Sequence, residues 1–508
     1  MESSKLLTIS LTSAVVIIGS IFLGTAAGTQ DLTTTGGFIV AIVAIAAFFG
    51  LGKRVWILIP TFAAWSGKIT LLPIPFSVAN IVIGFAVFTM LTQVAANKVR
   101  LNYKPDGLDI WILLLAAILA AGFFRNPVGL ASFTGGAMVG ARPYVEILIG
   151  VAGYLFLSTF SADAKSCQKL PVYIIGTSML LALGGIIAFF IPSAGFVLYN
   201  FYSDFSPNFS ELRNPYENSD SVGRAAFVRP LAYSLAAWAV ASKSPIKLVL
   251  PLPFKHSMAL YFAALAALIS GFRSSILQIA FTFLIGCWIW LRGIGLIGSI
   301  AVGLLVISSA IIIQDFYPLP ERIQRSLSML PGNWSQKVIL DAEGSTEWRL
   351  EMWKVILEGD SVKNQWIGDG FGFPRAELEY YGALQASGQL PPEQLAEYFL
   401  MTGGVHSGPL SALKFVGWLG LGVFIFFSVM VSLRYAKLWR VAREQKGITD
   451  PLAIAIGFFA LLAIYFPIKY VAIYGAFDVD APRILVLAGM LRLFEKVVEK
   501  EKLLSEVK

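Results

Sequence analysis

Long, continuous apolar stretches recur along most of this chain, separated by short polar segments. A helix needs about 20 mostly apolar residues to cross a bilayer, and continuous rather than alternating stretches exclude an outer-membrane β-barrel. The pattern therefore predicts an all-α polytopic membrane protein with 12–14 transmembrane helices. The weaker candidates are 55–73, which contains Lys68, and 482–495, which is short. The full set of stretches is 6–27, 36–52, 55–73, 76–95, 108–124, 142–160, 171–192, 225–242, 256–271, 274–291, 293–314, 409–433, 451–472 and 482–495.

Composition supports a membrane protein and excludes other classes. Of the 508 residues, 56% are hydrophobic and only 14% are charged, whereas soluble domains average roughly 25% charged residues. Mean hydropathy is +0.72. These values exclude a soluble globular enzyme, a disordered chain and a coiled coil. Cys167 and Cys287 are the two cysteines, and their predicted positions in a loop and inside a helix predict no disulfide.

The distribution of basic residues predicts the orientation in the membrane. With the N-terminus inside, the inner segments hold 22 Lys and Arg residues, and the short outer segments hold 8. Basic residues concentrate in cytoplasmic loops, so both termini are predicted to be cytoplasmic. The predicted organisation is a membrane domain at 1–314, an extracytoplasmic helical loop domain at 315–408, C-terminal membrane helices at 409–497 and a cytoplasmic tail at 498–508.

The outer segment 315–408 is acidic, with 7 basic and 13 acidic residues. A net charge of −6 argues against a nucleic-acid surface, and the net charge of +8 on the whole chain belongs to the cytoplasmic loops. A helix at the membrane surface is predicted near 347–357, with Trp348, Met352 and Val355 on one face.

The same segment has clear boundaries for a second helix. Pro391-Pro392 predicts its start and Gly403-Gly404 predicts its end. Between the two helices lies the glycine-rich run 368–372. It lacks the preceding strand and the Lys-Ser or Lys-Thr ending of a phosphate-binding loop, so it is interpreted as a turn.

Two histidines occur in the chain. His256 stands where a predicted cytoplasmic loop meets a helix, which favours a structural role. His406 directly precedes a long apolar helix and is predicted to lie at the outer membrane surface. Histidine suits proton transfer near neutral pH, so His406 is a candidate general base. The alternative for His406 is a structural residue at a helix start.

Arginines near the outer ends of helices are a second candidate feature. The positive-inside rule disfavours basic residues there, and guanidinium groups bind phosphates through paired hydrogen bonds. The alternative for each is an ordinary interfacial arginine. The candidate diphosphate-binding residues are Arg142, Arg224, Arg229, Arg273 and Arg349.

Two of these features form motifs. His406-Ser407, nine residues and then Gly417-Trp418-Leu419-Gly420 resemble the H-[NSQ]-x9-G-x-x-[GTV] pattern of O-antigen ligases. The run from Arg273 to Leu277 resembles their R-x3-L element. The chain from about 220 to 435 is thus similar to the superfamily of O-antigen ligases and O-antigen polymerases. Arg229-Pro230 stands where many relatives have Asn-Pro, which leaves open whether Arg224 or Arg229 contacts the substrate.

The resemblance implies an enzyme of surface polysaccharide biosynthesis, such as that of lipopolysaccharide or exopolysaccharide. Such an enzyme transfers a glycan from undecaprenyl diphosphate to an acceptor hydroxyl, on the periplasmic side of the bacterial cytoplasmic (inner) membrane. It implies His406 as general base and Arg273 and Arg224 as stabilisers of the departing diphosphate, with inversion and without a cofactor or metal. Ligases and polymerases share these motifs, so a polymerase that joins lipid-linked repeat units remains an alternative.

Two further alternatives come from charged residues. Asp478-Val479-Asp480 is a D-x-D sequence in a predicted outer loop, and such pairs bind divalent cations in many glycosyltransferases. Lys469 and Glu146 lie within predicted spans, and intramembrane charges can mark a transport pathway. A membrane transporter is therefore the competing functional class, although the hydropathy shows no inverted repeat.

Overall fold

A computed structural model describes residues 50–69, 76–97, 99, 102–128, 138–205, 224–250, 253–358, 361–387, 389, 392–402 and 404–506. These residues are mostly helical, with one two-stranded antiparallel sheet that pairs β1 (Met138–Val139) with β2 (Phe373–Pro374). The helices are α1 (Leu58–Thr61), α2 (Val78–Ala95), α3 (Gly107–Arg125), α4 (Ala141–Thr159), α5 (Ala164–Gln168), α6 (Leu170–Phe190), α7 (Pro192–Phe201), α8 (Arg229–Ser242), α9 (Pro245–Val249), α10 (Phe254–Ile269), α11 (Arg273–Phe316), α12 (Glu321–Leu327), α13 (Gln336–Glu358), α14 (Arg375–Ala386), α15 (Pro392–Thr402), α16 (Gly408–Lys446), α17 (Pro451–Ile468) and α18 (Phe477–Glu506).

Six helical segments in the described residues are long and apolar enough to cross a membrane. This confirms the coarse prediction of an all-α membrane protein. The predicted stretch 6–27 and nearly all of 36–52 lie outside the described residues. The six segments are Val78–Ala95, Gly107–Arg125, Ala164–Phe190, Arg273–Leu291, Gly408–Lys446 and Pro451–Ile473.

The prediction of a membrane span at 55–73 is wrong for residues 55–69, the part of it that the structure describes. A 3-10 helix at Gly52–Ile57 runs into α1, which ends at Thr61. The following chain turns because side chains take its amide groups: the N–H of Gly67 donates to the Tyr202 hydroxyl at 2.9 Å, and the N–H of Lys68 donates to Ser203 Oγ at 2.8 Å. Because side chains satisfy these backbone N–H groups, the chain does not need to continue as a helix here.

The predicted spans 274–291 and 293–314 fall within one helical run, α11. A straight helix from Arg273 to Gln314 would measure about 61 Å. Arg325 Nη1 donates to Gly271 O, beside the start of α11, at 2.6 Å. Even fully extended, the chain from Gln314 to Arg325 and the arginine side chain reach only about 45 Å. The run is therefore not one straight helix and must bend between Arg273 and Gln314.

The chain divides into two compact units, one made of residues 1–101 and 184–209 and the other of 102–183 and 210–508. The core of the second unit lies where α4 meets α18 and where α16 meets α17. Cys167 and Cys287 are buried and free, which confirms that they form no disulfide.

The segment between α11 and α16 forms its own small core. Met352 and Ile356 on α13 are buried against Val362, Leu400 and Val405. Val355, predicted on the same face of the helix as Met352, is 38% exposed. Ile356 takes that position because it lies four residues after Met352, on the same face of the helix. The predicted second helix is confirmed as α15, between Pro392 and Thr402.

Candidate functional site

His406 lies in the short connection between α15 and α16, with its backbone in the left-handed region at φ 54°. Few non-glycine residues adopt this conformation, and those that do are often found at functional sites. The preceding Val405 is buried, and its carbonyl accepts a hydrogen bond from Trp353 Nε1 at 3.2 Å. The packed core of the outer segment thus holds the backbone that presents His406.

Two aromatic rings flank the His406 imidazole. The Trp348 ring on α13 is 5.4 Å away, edge to face, and the Tyr474 ring is 5.5 Å away. Burial lowers the pKa of His406 below its usual value of 6.5, and the positive charges of Arg349 and Arg224 lower it further. The imidazole is therefore neutral near pH 7, which is the form that can accept a proton.

Tyr474 reaches His406 through an unusual backbone turn. A π-helical turn at Lys469–Ile473 follows α17 and ends at Tyr474. The Tyr470 hydroxyl donates to Gly408 O at 2.7 Å, and the N–H of Phe477 donates to Ser411 Oγ at 3.0 Å. These bonds fix the turn to the start of α16. π-Helical turns are often found at functional sites.

Arg224 and Arg229 both pack on the ring of Phe272. The guanidinium carbons lie 5.5 Å and 4.5 Å from its centroid, within the range of a cation–π contact. Arg229 Nε also donates to the Tyr233 hydroxyl at 3.0 Å. Sequence reasoning left the two arginines as alternatives, whereas the structure brings both to one ring.

Arg273 starts α11 immediately after Phe272 and lies within electrostatic range of Arg325, Arg349 and Asp341. Its Nη2 makes a long hydrogen bond of 3.4 Å to Ala342 O on α13. The tight turn before it contains Gly271 at φ 73°, a conformation that favours glycine.

Arg349 lies on α13, and its Nε is buried without a hydrogen-bond partner in the described residues. Burial and the charge of Arg325 lower its pKa. A buried donor without a partner is costly, so this group favours the binding of an acceptor such as a phosphate oxygen.

Sequence reasoning missed Arg325. It is 3% exposed, forms an ion pair with Asp341, and donates from Nη1 to Gly271 O at 2.6 Å. Its partners are far away in the sequence, on α13 and before α11, so no local pattern identifies it. Arg325 ties the outer helices to the turn that carries Arg273.

The assembled cluster has a surplus of positive charge. Arg224 lies within electrostatic range of Arg325, Arg349 and Arg273, and Asp341 supplies one negative charge. Burial lowers the pKa of Arg224 to about 10, and the neighbouring arginines contribute to that shift. Four guanidiniums against one carboxylate suit a ligand with more than one negative charge.

Arg142, which was also predicted to bind the diphosphate, has different surroundings from the other candidate arginines. Its Nε forms an ion pair with Glu146, one turn further along α4, at 2.8 Å. No contact in the described ranges joins Arg142 to the arginine cluster, so its substrate role stays a prediction. The same ion pair accounts for the intramembrane charge of Glu146.

The prediction that Asp478-Val479-Asp480 lies in an outer loop is wrong. Both carboxylates lie in the first turn of α18, and Asp480 is 1% exposed. Asp480 Oδ1 pairs with Lys469 Nζ at 2.8 Å, because a buried charge needs a partner of opposite sign. Among the residues the structure describes, no group of three or more metal-ligating side chains is present.

The glycines of the histidine motif shape α16. Gly417 has φ 66°, and the helix kinks there. A regular helix would pair the N–H of Trp418 with Lys414 O and that of Leu419 with Phe415 O. Instead, a loop from the outer segment forms hydrogen bonds with these two N–H groups and these two carbonyls. The N–H groups of Asp369 and Gly370 donate to the carbonyls of Lys414 and Phe415. The N–H groups of Trp418 and Leu419 donate to the carbonyls of Gln365 and Trp366.

The predicted glycine turn at 368–372 is therefore part of this loop. Gly368 has φ 71°, and a Cβ at this residue would overlap the carbonyl of Phe415. Asp369 Oδ2 pairs with Lys414 Nζ at 2.8 Å. The loop thus joins the outer segment to α16 at Gly417, which lies eleven residues after His406.

No protein-family model matches this chain, and no curated protein is similar to it at a significant level.

Proposed function

We propose that this protein is a membrane glycosyltransferase similar to O-antigen ligases. It would move a glycan from undecaprenyl diphosphate to an acceptor hydroxyl. The observation that carries the proposal is a neutral His406 within electrostatic range of Arg224 and Arg349. In the described residues, these two arginines and their neighbour Arg273 have no carboxylate ion-pair partner. A neutral base next to unneutralised guanidiniums suits a reaction that takes a proton and releases a diphosphate.

The chemistry balances as a single displacement. The acceptor oxygen forms a bond with the anomeric carbon of the donor sugar, and the bond from that carbon to the diphosphate oxygen breaks. His406 takes the acceptor's proton, and the arginines stabilise the negative charge on the departing undecaprenyl diphosphate. Attack opposite the leaving group inverts the anomeric centre. The energy comes from the donor's own diphosphate bond.

The proposed location is the periplasmic face of the bacterial cytoplasmic membrane, with both termini in the cytoplasm. The excess of basic residues in the predicted inner segments supports this orientation. The acceptor is a glycan or a lipid-linked glycan, and a polymerase that joins lipid-linked repeat units uses the same chemistry. The ion pair of Lys469 with Asp480 gives that intramembrane charge a structural role, which weakens the case for a transporter.

A reconstituted reaction tests the proposal. Purified protein in detergent, given a lipid-diphosphate glycan and an acceptor, should form product without ATP and in the presence of EDTA. Arg375→Ala is a matched control, because Arg375 lies on α14 in an exposed pair with Glu379. Failure of every lipid-diphosphate donor to bind or react would refute the proposal, and loss of transfer in EDTA that magnesium restores would refute its metal-free form.

A further inference from the structure

The turn between α10 and α11 is held by contacts from two other parts of the chain and by one hydrogen bond within the turn. The N–H of Ala225 donates to Ser270 O at 3.0 Å, and Arg325 Nη1 donates to Gly271 O. Ser270 Oγ accepts the N–H of Phe272 at 3.2 Å. The backbone on both sides of Phe272 is therefore fixed, and its ring has a defined position.

This ring is the shared neighbour of two arginines of the cluster. Arg224 approaches it from the segment before α8, and Arg229 approaches it from the first turn of α8. An aromatic face attracts a guanidinium through its quadrupole. It neither neutralises the positive charge nor occupies an N–H donor, whereas a carboxylate partner would do both.

Arg229 has one additional restraint. Its Nε donates to the Tyr233 hydroxyl, which lies 2.9 Å from Ser275 Oγ on the first turn of α11. Arg224 has no hydrogen bond or ion pair in the described residues. The ring of Phe272 is thus the main contact that restricts the Arg224 guanidinium.

We propose that Phe272 is a positioning residue that holds the guanidiniums of Arg224 and Arg229 on its ring and leaves their terminal N–H groups free for a diphosphate. The positioning itself follows from the contacts above. Its use in diphosphate binding rests on the proposed function.

The first test needs no substrate. Phe272→Leu removes the aromatic face but keeps an apolar side chain, and Phe272→Tyr keeps the face. Phenylglyoxal modification, followed by peptide mass spectrometry, should be several-fold faster at Arg224 and Arg229 in Phe272→Leu than in the wild type. Phe272→Tyr should match the wild type, and Arg375 should react equally in all three proteins. Equal reactivity of Arg224 in Phe272→Leu and wild type, with both folded by thermal unfolding, would overturn the positioning role.

The second test measures binding of undecaprenyl diphosphate. Phe272→Leu removes a partly desolvated cation–π contact and should weaken the affinity by about 2- to 30-fold. Phe272→Tyr should rescue it. In an Arg224→Ala/Arg229→Ala background, Phe272→Leu should have no further effect, and an equal loss there would show that the ring acts by another route. If the wild type binds no undecaprenyl diphosphate while the modification result holds, the proposed function fails and the positioning role stands.

Discussion

At the scale of single residues, the proposed reaction depends on how the protein sets the charge of His406. The imidazole is half-buried between aromatic rings and lies near Arg349 and Arg224. Nearby positive charge disfavours protonation. The same arginines that would bind the donor therefore keep the base neutral.

The environment of His406 determines how the transfer rate should depend on pH. A general base works in its neutral form, and the pKa of His406, the proposed base, lies below 6.5. The transfer rate should be constant from about pH 9 down to about pH 7 and should fall only below about 6.5. A pH–rate profile measured at fixed donor concentration tests this. A half-maximal rate above pH 7 would mean that His406 is not the titrating base.

Sequence motifs and charge patterns provided the candidate residues, but their arrangement was not predictable from the sequence. His406 and Arg273 stand in recognisable motifs. Arg325 carries no local pattern, since its partner Asp341 lies on another helix. The contact of Arg224 and Arg229 with Phe272 spans more than forty residues of sequence. Such contacts depend on the tertiary fold, which local periodicity does not encode.

At the scale of elements, α16 begins just after His406 and contains the kink at Gly417. Hydropathy predicted the span at 409–433, but not the kink. A helix breaks at low cost only where other groups satisfy its backbone, and here the loop 364–370 does so. The glycine element of the motif therefore serves to join the outer segment to the membrane helix.

Gly417→Ala is expected to destabilise this junction. The backbone is at φ 66°, and a Cβ would overlap the carbonyl of Trp366. A side chain there should cost more than about 1 kcal/mol, seen as a lower thermal unfolding temperature in detergent. Gly422→Ala is the matched control on the same helix, because nothing lies within 4 Å of its added Cβ. Equal unfolding temperatures for the two variants would show that the kink is not required.

At the scale of the whole molecule, the proposed reaction requires the outer segment and His406 to lie on the same side of the membrane. Hydropathy predicted the strongest spans correctly, as in α2 and α3. It failed at 55–73, where side chains of distant residues take the backbone groups of Gly67 and Lys68. Whether such a segment spans the membrane depends on its contacts with other parts of the chain, and hydropathy does not measure these contacts.

Reporter fusions test the orientation. A reporter near residue 360 should behave as periplasmic, and one near residue 443 as cytoplasmic, because the predicted inner segments hold most of the basic residues. Paired alkaline phosphatase and green fluorescent protein fusions give opposite readouts at each site. A cytoplasmic position for residue 360 would place His406 in the wrong compartment and would remove the proposed reaction.

The proposed reaction requires His406 to remove the acceptor's proton while the arginines hold the diphosphate. Measuring the single-turnover transfer rate and the donor affinity of His406→Ala and Arg273→Ala tests it most directly. His406→Ala should lower the rate by about 10²–10⁴-fold and leave donor affinity nearly intact. Arg273→Ala should weaken donor affinity by about 10- to 100-fold, and Arg273→Lys should restore only part of it. A His406→Ala protein with the wild-type transfer rate would contradict the account.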